Sequence, residues 1–159
     1  MIKITQFDDK YTQDVIDLVL HFQNDGTRPL VTVDDQPDML HITDAYINAG
    51  GNFWSALDDG RLAGTIGIMP CGDDTAVLKK FFVYEKYQDE PHHIGQQLYA
   101  YFLEFAKEKG FKTIMPDTPF NTVRAHKFYE RAGFEKVTEE LPIKFSHPYK
   151  DCGFFMLNL

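Results

Sequence analysis

Residues 121–134 read Asn121-Thr122-Val123-Arg124-Ala125-His126-Lys127-Phe128-Tyr129-Glu130-Arg131-Ala132-Gly133-Phe134, and this stretch decides the fold. Asn121 is a residue type that caps a helix with its side-chain oxygen. Ala125, Phe128, Tyr129 and Ala132 recur at three- and four-residue spacing, the inner stripe of an amphipathic helix. Gly133 stops that helix, because glycine adopts the left-handed conformation that a helix terminus needs. Short strands are expected beyond it, near Glu135 to Thr138 and from Gly153 to Leu159.

Upstream, Thr113 to Met115 reads as a short buried strand, and the longest helix precedes it. Ile94, Leu98, Phe102, Phe105 and Ala106 form the wide apolar face of that helix, which Gly110 closes. Thr75 to Tyr84 is a strand whose alternation fails at residues 81–83, the mark of a bulge or of burial on both sides. Asn52 to Leu57 and Leu62 to Met69 flank Asp58-Asp59-Gly60-Arg61, so these two runs pair as a hairpin. Toward the N-terminus, Ile2 to Phe7 alternates as a strand. Val15, Leu18, Val19 and Phe22 line a helix from about Tyr11 to Asn24. Residues 25–36 form a polar, proline-containing loop and a candidate substrate lid. Met39, Ile42, Ala45 and Tyr46 predict a second short helix, which Gly50-Gly51 ends. The order is strand, two helices, three antiparallel strands, helix, strand, helix, two strands. It predicts one mixed α/β (α+β) domain over residues 1–159, without repeats.

The 159 residues are 43% hydrophobic and 25% charged, with 14 Phe and 8 Tyr, the make-up of a folded domain with an aromatic interior. A formal charge of −8 repels phosphate backbones, so nucleic acid is not the expected partner. Cys71 and Cys152 are too few for a disulfide framework or a four-cysteine metal site, and they read as reduced, buried thiols. The first residues lack a leader's apolar run, and no stretch reaches the roughly 18 apolar residues of a membrane span. The expectation is a cytoplasmic protein without membrane contact.

Chemistry concentrates where the strand at 75–84 runs through a polar loop into the helix starting near Ile94. A helix start offers free backbone N–H groups and a positive dipole end, which suit a diphosphate. Gly95 lets such a group approach the backbone, and Gln96 and Gln97 carry further donors. His92 and His93 are adjacent and point in different directions without a third ligand at a usual spacing, so no metal is expected. They read as loop residues or as phosphate contacts.

Ala125, Phe128-Tyr129 and Gly133-Phe134 resemble the Ala-x-x-Phe-Tyr-x-x-x-Gly-Phe signature of the GNAT superfamily of N-acetyltransferases, and the order of elements around them is similar over nearly the whole chain. The resemblance implies a central, mostly antiparallel sheet of six or seven strands flanked by about four helices. It implies an opening between the fourth and fifth strands for the pantetheine arm of acetyl-CoA. It also implies that the backbone of Phe82 and Val83 contacts the arm and the acetyl carbonyl. The family's diphosphate loop has Gln or Arg, two residues, Gly, one residue, then Gly or Ala. Here Glu90-Pro91-His92-His93-Ile94-Gly95 keeps only the last glycine. An insertion of about two residues makes Gln88 the displaced polar residue, and His93, Ile94, Gly95 and Gln96 the loop's remaining contacts. Asn121 is both a cap and, by resemblance, a contact to CoA.

By resemblance Tyr129 protonates the departing thiolate; by its own neighbourhood it reads as a packed partner of Phe128. The incoming amine must lose a proton before it can attack. Asp117 and Glu85, just past the fifth and fourth strands, are the nearest acids, although each also reads as a solvated loop residue. The implied reaction is direct acetyl transfer from acetyl-CoA to a primary amine, small or peptidic and possibly cationic, by a monomer or homodimer. One alternative is a silent CoA-binding or interaction module with the same fold. The other is a nucleotide-dependent enzyme, against which stands the absence of a Gly-x-Gly-x-x-Gly or Gly-Lys-Ser/Thr run. The final strand, around Phe154-Phe155-Met156-Leu157, is open to two readings, a sheet edge that pairs with a second chain or plain core.

Overall fold

A computed structural model describes residues 1–24, 32–72, 74–88, 92–116, 123–137 and 154–159. Strands β1 (Ile2–Gln6), β2 (Asn52–Asp58), β3 (Arg61–Pro70), β4 (Thr75–Val83), β5 (Thr113–Pro116), β6 (Glu135–Val137) and β7 (Phe154–Asn158) form one seven-stranded sheet in the order β1-β2-β3-β4-β5-β7-β6. All neighbours run antiparallel except β4 and β5. Helices α1 (Thr12–Gln23), α2 (Ile94–Lys109) and α3 (Val123–Arg131) complete the set.

Each strand of the sheet's centre is apolar on both sides, because each face carries its own core. On one face α2 sets Ile94, Leu98, Phe102 and Ala106 against Trp54, Ala56, Ile68 and Leu78, with Tyr129 and Phe134 alongside. On the other, Val15, Ile16 and Val19 of α1 meet Phe53, Met39, Ile42 and Tyr46. Buried apolar surface of this kind is the main favourable term in folding, at about 25 cal/mol per Å². Gly110, at φ +83, closes α2 as its sequence predicts.

One expectation is corrected. Residues 37–47 are not a second α-helix but a 3-10 turn over Pro37–Leu40 and a π turn over Thr43–Ile47. The apolar spacing is correct, since Met39, Ile42 and Tyr46 are all buried. The backbone winds differently because the Tyr46 hydroxyl donates to Asp38 Oδ2 at 2.7 Å and the Asn48 N–H reaches back to the Thr43 carbonyl. Tertiary tethers override propensity in so short a segment. Of the two readings of the final strand, the structure favours the interior one: β7 lies between β5 and β6, and β1 and β6 are the edges among the described strands. The proposed lid falls largely on residues 25–31, outside the described residues.

The bulge expected near 81–83 is present one residue earlier. Between two paired positions β3 passes from Thr65 to Gly67 while β4 passes from Phe82 to Lys79, one residue more. Lys80 absorbs the extra length in the left-handed conformation, at φ +53. Its carbonyl accepts from the Thr65 hydroxyl at 2.7 Å, so the distortion is hydrogen-bonded within the protein. Beyond the bulge Phe81 packs with the α2 core and Phe82 with the α1 core, which is why alternation fails in the sequence.

Candidate active site

The parallel ladder of β4 and β5 runs from Thr75 opposite Thr113 to Leu78 opposite Pro116, where β5 ends. Proline has no N–H to extend it. β4 continues to Val83 without β5 beside it, while on its other edge it stays paired with β3 as far as Gly64 opposite Val83. Among the described residues, no strand pairs with this edge of β4 beyond Leu78.

Backbone alternation says which groups face that opening. The Tyr84 N–H donates to the Ala63 carbonyl at 2.9 Å, and Phe82 sits opposite Thr65 in the same register. Phe82 and Tyr84 thus turn their peptide groups toward β3, and Val83 turns its N–H and C=O into the opening. The Gln88 amide donates to the Val83 carbonyl at 2.7 Å. Gln88, read as a displaced loop residue, is held on the strand edge.

α2 begins beside this edge. Its N-cap, His93, is left-handed at φ 45 and makes no side-chain cap bond, and its first turn contains no acid. Among the described residues, the first N–H at this helix start to find a backbone partner is that of Gln97, on the His93 carbonyl at 3.3 Å. The amides of Ile94, Gly95 and Gln96 are those a helix leaves without an internal partner. A methyl group at position 95 would lie 3.7 Å from the Phe81 ring, an ordinary contact, so packing does not demand glycine there. His92 turns away, its ring edge-on to Tyr87 at 5.2 Å. Among the described residues no group of three metal-ligating side chains gathers.

Tyr129 is 3% exposed, its ring against Phe134 at 5.2 Å and Phe128 at 5.9 Å. Phe128 in turn meets Phe81 of β4 edge-on at 5.1 Å, so α3 is locked to the open part of β4 by aromatic contacts. Asp117, Glu90, Asn121 and Cys152 lie outside the described residues.

Glu85, two residues past Val83, is on the surface and paired with His21 Nε2 of α1 at 2.9 Å. Its own backbone N–H, then His21, hold its carboxyl below the usual range. Nearby, Tyr84 lies 5.5 Å from the His21 ring, and burial, followed by the charges of Asp17, Asp14 and Glu85, pushes its phenol up. Phe22 stacks on Phe82 at 5.6 Å in the same cluster. His21 escaped sequence reasoning because it meets Glu85 only through the fold, and a basic residue in the last turn of a helix is unremarkable.

Comparison with known proteins settles the family. Residues 17–134 match the model of the acetyltransferase (GNAT) family. The chain belongs to the GNAT acetyltransferases. It is 32% identical over 115 residues to the protein named "Probable N-acetyltransferase camello" from Xenopus tropicalis, covering 70% of this chain and 52% of that one. The chain thus spans about half the length of this GNAT relative. An acetyltransferase structure from Streptococcus agalactiae superposes with a TM-score of 0.93 at 33% identity, over 99% of this chain and 98% of that one. The yncA structure from Salmonella typhimurium, which holds acetyl-CoA, shares the fold with a TM-score of 0.74 at 14% identity, over 99% and 93% of the two chains. No helix among the described residues of this GNAT chain is long and apolar enough to cross a membrane.

Proposed function

We propose that this chain binds acetyl-CoA along the open edge of β4 and transfers the acetyl group directly to a primary amine. The reading is supported by the end of the described β4–β5 ladder at Leu78 and by the Val83 peptide group, which turns away from β3 and whose carbonyl Gln88 holds. The bound thioester supplies an activated acetyl group; the rest of the chemistry falls to the chain.

The N–H groups of Ile94, Gly95 and Gln96 receive the diphosphate, helped by the positive end of α2. His93, as the N-cap, sets the entry angle into that turn. The Val83 N–H points at the thioester carbonyl and stabilises the oxyanion that forms on it. Gln88 keeps this peptide plane aligned by holding its carbonyl. Phe82 contributes its ring to the α1 side rather than its amide to the gap. Asn121 and Asp117, read from the sequence as a CoA contact and a candidate base, lie outside the described residues.

The amine nitrogen attacks the carbonyl carbon, the C–S bond breaks, and Tyr129 gives its proton to the thiolate. A phenol with a pKa of about 10 matches a thiol leaving group well enough to serve. The amine's surplus proton passes to the His21–Glu85 pair, whose carboxylate would stabilise a protonated ring. Asp14, Asp17 and Glu85 around Tyr84 give the α1 side a negative field suited to a cationic acceptor.

Calorimetric titration with acetyl-CoA, CoA and NAD, followed by a thiol-release assay on an amine panel, tests the reading. Micromolar binding of acetyl-CoA but not NAD is expected, with Tyr129→Phe lowering kcat by about 100-fold. Failure to bind acetyl-CoA would contradict it. Binding without thiol release on any amine would favour a silent CoA-binding module, a reading that the departures at Glu90 and His93 support.

A further inference from the structure

Tyr87 lies in the turn that leads from β4 toward α2, and only 5% of it is exposed. Its ring belongs to the core that α2 builds on the sheet, together with Val83 and Ile94. Its hydroxyl leaves that core and donates to Asp58 Oδ2 at 2.7 Å. Asp58 stands 29 residues away, at the end of β2 where the chain turns into β3. One bond thus joins the β2–β3 hairpin to the segment beyond β4. Phenylalanine would fill the same place in the core, so packing alone does not call for the hydroxyl. The other Asp58 oxygen meets the Met1 ammonium at 3.4 Å, and Lys86 Nζ lies 4.8 Å from the centre of the Tyr87 ring. The Tyr87 hydroxyl, foremost, holds the Asp58 carboxyl below the usual carboxylate range, so the acceptor is ionised at neutral pH.

What Tyr87 fixes, the next residue inherits. The Tyr87 N–H donates to the Tyr84 carbonyl at 2.9 Å and the Gln88 N–H to the Glu85 carbonyl at 3.2 Å, a single 3-10 turn over Glu85–Tyr87. From the end of that turn the Gln88 side-chain amide reaches back to the Val83 carbonyl at 2.7 Å. A turn of three residues has little stability of its own, so the side chain that anchors it decides where it sits. Tyr87 supplies that anchor twice, through the buried ring and through a hydrogen bond to a charged acceptor, which is stronger than one between neutral groups.

We propose that Asp58 and Tyr87 are positioning residues for acetyl transfer: their hydrogen bond holds the turn after β4 so that Gln88 keeps the Val83 peptide in its working orientation. Both act through Gln88 and take no part in the chemistry themselves. The inference rests on the acetyl-CoA reading above, in which the Val83 N–H receives the developing oxyanion. A peptide plane free to turn presents that N–H at the wrong angle, and small misplacements beside the reacting atoms cost rate steeply.

The test combines thiol-release kinetics, with acetyl-CoA and the amine that the panel turns over fastest, and NMR of the Gln88 side-chain amide in the ligand-free protein. Tyr87→Phe should lower kcat by about 10-fold, leave the KM for the amine unchanged, and move the Gln88 amide signals. Asp58→Asn still offers an oxygen to the hydroxyl and should stay within about twofold of the wild type. Asp58→Ala, at a position outside the core, should match Tyr87→Phe and carries the test if that variant folds poorly. In a Gln88→Ala background, adding Tyr87→Phe should change kcat no further, because the two act as one unit. The same loss appearing again in that background would overturn the proposal, as would an unchanged kcat in Tyr87→Phe or Gln88 signals that do not move. A wild-type chain that turns over no amine, yet whose Gln88 signals move in Tyr87→Phe, would overturn the acetyl-CoA reading and support the link from Asp58 to Gln88.

Discussion

The two edges of β4 are built from one strand and put to different uses. Toward β3 the ladder spans Ala76 to Val83 and tolerates a bulge at Lys80 because Thr65 reaches across to pair with the displaced carbonyl. Toward β5 the ladder among the described residues stops at Leu78, and beyond it the Val83 carbonyl accepts from the Gln88 amide. A strand edge is ordinarily a liability, but this one sits inside the sheet, where it suits an extended ligand rather than another protein's edge. One edge holds the strand in place; the other is available for recognition.

Proline separates the two edges most sharply. Phe82→Pro removes a peptide N–H directed at β3, and cooperative unfolding should be lost or shifted to much lower temperature, read by circular dichroism. Val83→Pro removes the N–H that faces the gap. The chain should remain folded while acetyl-CoA-dependent turnover falls by about 10²- to 10³-fold. Equal loss of folding in both variants would erase the proposed distinction.

Glycine gives a smaller contrast of the same kind. A methyl at Gly64 would stand 2.8 Å from the Phe82 carbonyl oxygen and 2.9 Å from Val83 Cγ2, so Gly64→Ala should cost about 1–3 kcal/mol in urea unfolding. Gly95→Ala meets no such obstacle and should gain up to about 1 kcal/mol from helix propensity, while the KM for acetyl-CoA rises. On the paired edge, Thr65→Val deletes the hydroxyl that holds the bulge and should cost about 1 kcal/mol.

The smallest effect is expected at Glu85, just beyond the strand. Its folded carboxyl titrates below the unfolded one, so its contribution to stability is present above the unfolded range near pH 4 and is lost as pH falls through the folded value. Glu85→Gln should flatten that acid limb slightly without altering stability's slope near neutrality.

What the sequence reveals and conceals divides along the same lines. Periodicity places α2 and α3, and the Asp58-Asp59-Gly60-Arg61 turn places the β2–β3 hairpin, because these are local signals repeated over several residues. The broken alternation at residues 81–83 correctly points to the irregular part of β4, but whether Phe82 or Val83 faces the gap depends on a register set by the bulge, one residue of which reverses the answer. Residues 37–47 have a helical apolar pattern and wind otherwise, since Tyr46 and Asp38 are tied side chain to side chain. The pairing of His21 with Glu85 and the capture of the Val83 carbonyl by Gln88 are both products of tertiary packing. Neither leaves a mark in spacing or composition.

Amide-resolved hydrogen exchange, with and without saturating acetyl-CoA, tests the central claim most directly. The account predicts that the Phe82 amide is already protected in the free protein, and that the Val83 amide exchanges faster until acetyl-CoA slows it. A Val83 amide as protected as Phe82 without ligand, or one that acetyl-CoA leaves unchanged, would contradict the assignment of that edge.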